Sequence, residues 1–244
     1  MNTIQANITN LTSLWTTTSS IFKTYDVQHN ISYGYIQNSQ WPNKIWLNND
    51  AELKSEDLSK ISELINLNSS MLIFSYFDTN GDKNNDLITR NGFIKRGVQY
   101  GMNLYLNDLF EVLTPLILKK VTNSVDAKTW STTFEQCFGY LISEKTINKT
   151  YHKINYFTVY SQDELVGTVL LHFTEKVVGI HSLGILPTKR GKGFANQIMS
   201  QVLNESIRLG MDLATLQASS MAKKMYQRIG FSEDFLVQHY QLEK

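Results

Sequence analysis

The stretch "VVGIHSLGILPTKRGKGFANQIMSQVL", residues 177–203, carries the strongest structural signal in this chain. An apolar run ends at Pro187, and a turn with two glycines and three cations follows it and leads into apolar residues at helical spacing. This order predicts a strand over Val177–Leu186 and an amphipathic helix over Phe194–Leu209. A glycine-rich turn that enters a helix presents free backbone N–H groups, so it is a physical site for an anion.

The spacing of the glycines excludes two common nucleotide-binding loops. A Walker phosphate loop has about four residues between its first glycine and the Gly-Lys-Ser/Thr, whereas six residues separate Gly184 from Gly191 here. The residue after Lys192 is a third glycine rather than serine or threonine. A dinucleotide Gly-x-Gly-x-x-Gly is also incomplete, because Asn196 stands where its last glycine should be.

Strand and helix patterns alternate along the rest of the chain. Apolar runs predict strands at Ile31–Ile36, Met71–Phe77, Val98–Leu106, Tyr156–Tyr160, Leu165–Phe173, Leu213–Gln217 and Phe235–Leu242. A second clear helix is predicted over Ser220–Ile229, with Ser219 or Ser220 as its N-cap and Gly230 at its C-terminal end. Weaker helical patterns cover Ile8–Phe22, Ser55–Asn66 and Trp130–Ser143.

A faint internal repeat favours two copies of one unit. The strings "ITRNGF" (88–93) and "YQRIGF" (226–231) share Arg-x-Gly-Phe, and each follows a helix and a strand and precedes another strand. We therefore predict a unit over residues 1–120 and a second over 125–244, joined near Thr114–Asp126. The first unit has no glycine-rich turn, and Ile88 stands where the second has Tyr226. Any chemistry is thus predicted to lie in the second unit.

The composition is that of an ordinary globular protein. The net charge of +1 gives no general reason to expect nucleic acid or a membrane surface as partner. Cys137 is the only cysteine and the five histidines lack paired metal-ligand spacing, so neither a disulfide nor a metal site is predicted. The N-terminal segment does not resemble a signal peptide, and no run reaches the roughly 20 apolar residues of a membrane helix. A cytoplasmic location is expected.

The turn and its flanks resemble the acyl-CoA signature of the GNAT N-acetyltransferase superfamily, Arg/Gln-x-x-Gly-x-Gly/Ala, at Arg190, Gly193 and Ala195. The segment "LATLQASSMAKKMYQRIGF" (213–231) resembles the second conserved block of that family, and the resemblance covers roughly residues 125–244. It implies an α/β (α+β) fold with a mixed, mostly antiparallel central sheet flanked by helices. It also implies acetyl-CoA as co-substrate and direct acyl transfer to a primary amine.

The resemblance assigns the turn to the pyrophosphate of CoA, and the chemistry of the turn agrees with this. Gly191 and Gly193 allow close approach of the backbone, and the small Ala195 keeps the first helical turn open. Backbone amides of residues 190–195, including that of Phe194, can donate to phosphate oxygens with help from the helix dipole. Local positive charge is expected from Lys189, Arg190 and Lys192.

The resemblance also implies how the rest of the cofactor binds. In the family, the strand that corresponds to residues 177–186 separates from its neighbour, and the pantetheine arm pairs with its backbone. That role falls on Leu183, Gly184 and Ile185, and an amide near Leu183–Gly184 would polarise the thioester carbonyl. Ser219 stands where many members carry asparagine and is expected to bond to the cofactor arm.

Two catalytic roles follow from the resemblance, each beside a simpler structural interpretation. Tyr226 resembles the general acid that protonates the departing thiolate, although a tyrosine at helical spacing can also be plain core. Gly179 stands where members often carry a glutamate base, and His181, two residues along, is the candidate base. A histidine packed in the sheet is the other interpretation of His181. Weaker candidates for the base are Glu135, Glu175 and His172.

Two functions of different classes therefore stay open from the sequence. The first is an acetyl-CoA-dependent N-acetyltransferase whose acceptor is a small-molecule or peptide amine. The second is a non-catalytic acyl-CoA-binding or protein-interaction module that keeps the fold, which the glycine at position 179 favours. The acceptor, the acyl chain length and the oligomeric state are not encoded in any recognisable motif.

Overall fold

Eleven strands form one continuous sheet in this computed structural model, which describes residues 2–48, 53–69, 71–79, 81 and 84–243. The strands are β1 Tyr25–Gln28, β2 Ile31–Gly34, β3 Lys44–Leu47, β4 Ile73–Asp78, β5 Phe93–Tyr105, β6 Ile117–Lys120, β7 Asn155–Ser161, β8 Glu164–Thr174, β9 Val177–Ile185, β10 Leu213–Ala218 and β11 Ser232–Leu242. The helices are α1 Thr3–Ile21, α2 Ser55–Asn68, α3 Asn85–Arg90, α4 Ser124–Phe138, α5 Glu144–Thr150, α6 Phe194–Arg208 and α7 Ser220–Ile229, and a 3-10 turn covers Pro187–Lys189. The predicted α/β fold, with a mixed and mostly antiparallel sheet flanked by helices, is confirmed.

The two halves of the chain exchange strands at the centre of the sheet. The strand order is β1-β2-β3-β4-β11-β5-β10-β9-β8-β7-β6, so β11 lies beside β4 of the first half and β5 lies beside β10 of the second half. The pairs β3–β4 and β9–β10 are parallel, and the other neighbouring pairs are antiparallel. The sheet is therefore arranged as two similar halves about the β5–β11 pair.

The shared Arg-x-Gly-Phe strings lie at equivalent points of this arrangement. One string ends at Phe93, the first residue of β5, and the other ends at Phe231, directly before β11. In the antiparallel register Phe93 pairs with Leu242, and Ser232 pairs with Asn103. The two strings therefore lie at opposite ends of the β5–β11 pair. Ile88 is fully buried on α3, and Tyr226 lies on α7.

Helix α1 belongs to the first half and packs on strands of both halves. Asn7 Nδ2 donates to the carbonyl of Met102 at 3.0 Å, and Asn10 Nδ2 donates to the carbonyl of His172 at 3.0 Å. Both asparagines are fully buried, and a buried amide is tolerated only when it is hydrogen-bonded. These bonds fix α1 against β5 and β8, where it forms one wall of the candidate site.

The structure extends and corrects several predicted elements. The strand predicted at Val98–Leu106 is longer, since β5 runs from Phe93 to Tyr105. The helix predicted at Trp130–Ser143 ends at Phe138, because Gly139 adopts a left-handed conformation with φ 76° and caps it. The segment predicted as a junction contains β6 and the start of α4. The short elements β1, β3, β6, α3 and α5 were not predicted, because four to seven residues show too little periodicity.

Within the described ranges, no helix combines the length and the apolar character needed to cross a bilayer. The described part of the chain also contains no group of three His, Cys, Asp or Glu side chains that could hold a metal ion.

Candidate active site

A gap between β9 and β10 forms the centre of the candidate site. These parallel strands pair only where Val177–Gly179 lies beside Leu213–Thr215, and beyond these residues they separate. A bulge in β9 lies at the opening, because His181 pairs with Leu170 and Gly184 pairs with Thr168, which leaves Ser182 and Leu183 opposite a single residue. Ser182 has φ 51°, a left-handed conformation that only a few per cent of non-glycine residues adopt. The backbone near Leu183 is thereby turned away from the regular ladder.

A cavity of about 350 Å³ lies at this gap and is lined by both halves of the chain. It brings together four of the predicted site residues, His181, Leu183, Ser219 and Tyr226. The other lining residues are Leu11, Trp15, Trp41, Lys44, Gln99, Phe138, Tyr140, Ile180, Ser182, Leu216, Gln217, Ala218, Ala222 and His239. The first half therefore supplies a wall of the cavity.

Helix α7 presents Tyr226 to the cavity. Ser219 caps the helix by accepting from the N–H of Ala222 at 3.3 Å, which fixes the direction of its first turn. The ring of Tyr226 is 7% exposed and packs edge-on against Phe231 with centroids 5.9 Å apart. Burial raises the pKa of Tyr226 to about 12, so the side chain is a neutral phenol that can donate a proton. No protein group among the described residues forms a hydrogen bond with its hydroxyl.

The glycine-rich turn follows the same end of β9. Gly191 and Gly193 adopt φ 77° and φ 79°, which residues with a side chain rarely adopt, and Gly193 is the N-cap of α6. Gly191, Lys192 and Gly193 lie outside helices and strands. Among the described residues, no backbone carbonyl accepts a hydrogen bond from their N–H groups. The first helical N–H groups of α6, from Phe194 and Ala195, also have no side-chain cap. These donors can together hold an anion.

Two of the three cations in the turn already have partners. Arg190 Nε donates to the carbonyl of Ile185 at 3.1 Å, and its Nη2 donates to the carbonyl of Cys137 at 3.0 Å. Lys189 forms an ion pair with Glu164, and this lysine lowers the pKa of that carboxyl. Arg190 therefore fastens the turn to β9 and α4, and Lys192 is the exposed cation of the turn that is left for a ligand.

Gly184 holds β9 close to α4. A Cβ built on Gly184 would lie 2.5 Å from the ring of Phe138 and 2.7 Å from the Cβ of Cys137, so this position accommodates no side chain. Burial raises the pKa of the Cys137 thiol to about 11, which keeps it protonated. The carbonyl of Ile185 is engaged by Arg190, which leaves the stretch around Leu183 as the part of β9 that is open to the gap.

Asn10 of α1 occupies the space that a side chain at position 179 would need. A Cβ on Gly179 would lie 1.9 Å from Asn10 Oδ1 and 2.4 Å from His181 Nε2. His181 Nε2 lies 3.4 Å from the same oxygen. Burial lowers the pKa of His181 to about 3, and the neighbouring His172 contributes, while a hydrogen bond between the imidazole and the side chain of Gln217 opposes the shift. His181 is therefore neutral and can accept a proton, but it is a weak base.

The weaker candidates for a base lie outside the cavity. Glu135 and Glu175 are exposed side chains on α4 and on the β8–β9 turn. His172 is buried on β8, where Ser13 Oγ lies 3.1 Å from its Nε2. Its environment suits a structural role.

We expect acid to destabilise the protein through His172. Burial lowers the pKa of this imidazole from 6.5 to about 4. The unfolded chain binds a proton in this window that the folded chain does not, so this imidazole alone lowers the free energy of unfolding by about 3 kcal/mol as the pH drops from 6.5 to 4. Urea unfolding of the wild type and of His172→Gln at several pH values measures this loss, which should be smaller in the variant.

The matched control is His152→Gln, which replaces an exposed histidine. Its acid destabilisation should equal that of the wild type. If His172→Gln lost as much stability in acid as the wild type, the imidazole would not be the group responsible.

Residues of the first half and of β11 that line the cavity were missed by the sequence analysis. Lys44 on β3 reaches the cavity, with its Nζ 5.9 Å from the ring centroid of Trp15 and 3.5 Å from Nδ1 of His239. Gln99 Oε1 lies 2.8 Å from the other ring nitrogen of His239. No local motif marks these residues.

Comparisons with known proteins agree with this architecture. Residues 121–239 match the family model described as an acetyltransferase (GNAT) domain. A GCN5-related N-acetyltransferase from Kribbella flavida has a TM-score of 0.69 at 11% identity, over 92% of this chain and 93% of that one. A GCN5-related N-acetyltransferase from Sphaerobacter thermophilus has a TM-score of 0.61 at 14% identity, over 87% and 76%. A functionally unknown conserved protein from Staphylococcus epidermidis has a TM-score of 0.64 at 15% identity, over 90% and 93%.

No curated protein matches the chain. The structural likenesses extend over both halves, so the first half is also GNAT-like by fold, whereas the family match covers the second half.

Proposed function

We propose that this chain is an N-acyltransferase that moves an acetyl group from acetyl-CoA to a primary amine, because residues 121–239 match the family model of the acetyltransferase (GNAT) domain. The observation that carries this proposal is the cavity at the gap between β9 and β10, which Tyr226 lines and which the anion-binding turn follows. The acceptor is a small-molecule or peptide amine, and the location is the cytoplasm, where the single thiol of Cys137 stays reduced.

The cofactor is held by backbone groups at two places. Its pyrophosphate accepts from the N–H groups of residues 190–195, with Lys192 as the additional cation. Its pantetheine arm enters the gap in place of the missing strand neighbour and pairs with the backbone of Leu183 and Gly184 and with the N–H of Ile185, since Arg190 already engages the carbonyl of Ile185. The bulge at Ser182 supports this placement, since it takes the adjacent amide out of the regular ladder and so allows it to donate to the thioester oxygen.

The reaction is a direct transfer in this proposal. The amine nitrogen attacks the thioester carbon, a C–N bond forms and the C–S bond breaks. Tyr226 gives its phenolic proton to the departing thiolate, and His181 accepts the proton of the amine, directly or through water. Because His181 is a weak base, the amine must enter as the free base rather than as an ammonium ion.

The role of the turn is tested by CoA binding. We expect Gly193→Ala to raise the dissociation constant of CoA at least about tenfold, because the new Cβ strains the N-cap and stands where the pyrophosphate approaches. Isothermal titration of CoA into the wild type and the variant measures this change.

Gly210→Ala is the matched control, since Gly210 has φ 74° and lies beyond the other end of α6. It carries the same backbone strain away from the turn and should bind CoA as the wild type does. Equal affinities for the wild type and Gly193→Ala would remove the turn from the binding site.

A further inference from the structure

Lys44 is a cation at the wall of the cavity. It lies on β3, is half-buried, and forms no ion pair with any carboxylate of the described residues. Its Nζ has His239 Nδ1 as a neutral neighbour at 3.5 Å. An ammonium group has three donors, so at least two of them are left for a ligand.

The neighbours of Lys44 fix the hydrogen-bond roles around it. Gln99 Nε2 donates to the carbonyl of Gln217 at 3.4 Å, which directs the amide oxygen of Gln99 towards His239. His239 therefore donates from Nε2 to Gln99, and its Nδ1 accepts from Ser75 Oγ at 3.0 Å. Lys44 thus lies against a neutral imidazole whose tautomer is set by other partners.

Among the described residues that line the cavity there is no aspartate or glutamate, and Lys44 is the one lysine. Such a site disfavours a polycationic acceptor and favours an anionic group on the ligand. Burial lowers the pKa of Lys44 to about 8, so it is still largely protonated near neutral pH, and a bound anion would stabilise that form. The same positive charge disfavours an ammonium ion, and the proposed reaction needs the neutral amine.

Apart from polar side chains such as Gln99, Gln217 and Ser219, the lining consists mainly of apolar and aromatic residues. Trp15, Trp41, Phe138 and Tyr140 contribute large rings to the wall. The volume of about 350 Å³ is near the lower end of small-molecule sites and has to accommodate the acyl end of the cofactor as well. The space therefore suits a small acceptor with an apolar body.

We infer that the acceptor amine also carries a carboxylate, which binds Lys44 Nζ while an apolar or aromatic body packs against Trp15 and Trp41. The acceptor class is thus a free amino acid with an apolar side chain. This inference rests on the proposed function and adds the class of acceptor to it.

Matched acceptors test the inference. L-phenylalanine, L-phenylalanine amide and 2-phenylethylamine share the amine and the ring and differ in the carboxylate, and O-phosphoethanolamine tests whether phosphate replaces it. We expect kcat/KM for phenylalanine to exceed that for the amide about 30-fold, the size of one charge-assisted hydrogen bond. In Lys44→Met this ratio should fall nearly to one, mainly through KM, and Lys44→Arg should restore part of it.

Lys60→Met, which replaces an exposed lysine of the same half, is the control and should keep the full ratio. A wild-type preference for the amide or for 2-phenylethylamine would overturn the inference, as would a ratio that Lys44→Met leaves unchanged. A preference for O-phosphoethanolamine would assign Lys44 to phosphate and would also overturn it.

Product binding separates this inference from the proposed function. N-acetylphenylalanine and its amide are titrated into the CoA-loaded protein, and a change in tryptophan fluorescence, to which Trp15 and Trp41 at the cavity wall contribute, reports binding. Binding that depends on the carboxylate and is lost in Lys44→Met supports the inference. If the same protein acetylates no amine, the proposed enzymatic function alone is refuted. Turnover without any dependence on the carboxylate would refute the inference alone.

Discussion

Replacement of Tyr226 by phenylalanine is expected to lower kcat about 100-fold and to leave the KM for acetyl-CoA nearly unchanged. Without the phenol, the thiolate leaves unprotonated, and the cost falls on the transition state rather than on cofactor binding. The phenylalanine ring keeps the contact with Phe231, so the fold should be preserved. Steady-state rates of CoA release, with a thermal melt of each protein, measure the effect.

Tyr105→Phe is the control for this experiment, because Tyr105 is an exposed tyrosine at the end of β5 with 53% of its surface accessible. Its rate should match that of the wild type. If Tyr226→Phe kept a rate within a few-fold of the wild type, Tyr226 would be a core tyrosine and another group or water would protonate the thiolate.

A fragment of residues 114–244 is expected not to fold on its own. Strand β11 has two neighbours in the sheet, β4 and β5, and both come from the first half. Strand β10 would lose its pairing with β5 over Leu213–Ala218 and would keep three paired residues on β9. Met102 on β5, which is fully buried in the core beside α6 and α7, would be lost as well. The fragment should show no cooperative thermal transition and no acetyl transfer.

Addition of residues 1–113 as a separate chain is the matched test. If the exchange of strands is the reason for the failure, the two pieces together should recover a cooperative transition and CoA binding. A monomeric fragment 114–244 with a sharp melt and full turnover would contradict this, and it would show that the first half neither completes the sheet nor forms a wall of the cavity.

Much of the second half could be predicted from the sequence because its signals are local. The strand, turn and helix of residues 177–203 follow from apolar periodicity and from glycines at positions that need φ above zero. The cap at Ser219 and the glycine at 230 likewise mark α7, the helix that carries Tyr226. Such features are decided by neighbours within a few residues.

The shape of the site could not be predicted, because it depends on contacts between distant parts of the chain. Asn10 reaches Gly179 across more than half of the sequence, and this contact explains the absence of a side chain there. Lys44 meets His239 through a strand exchange that no periodicity reveals. The bulge at Ser182 could not be predicted either, since serine carries no local signal for the left-handed conformation that it adopts here.

The decisive measurement follows CoA release from acetyl-CoA by the full-length wild type with a panel of primary amines, and identifies the products by mass spectrometry. We expect one class of amine to be acetylated with one CoA released per product, and Tyr226→Phe to lose most of this rate. Tight binding of CoA without acetyl transfer to any amine would contradict an enzymatic role and would instead indicate a non-catalytic acyl-CoA-binding module.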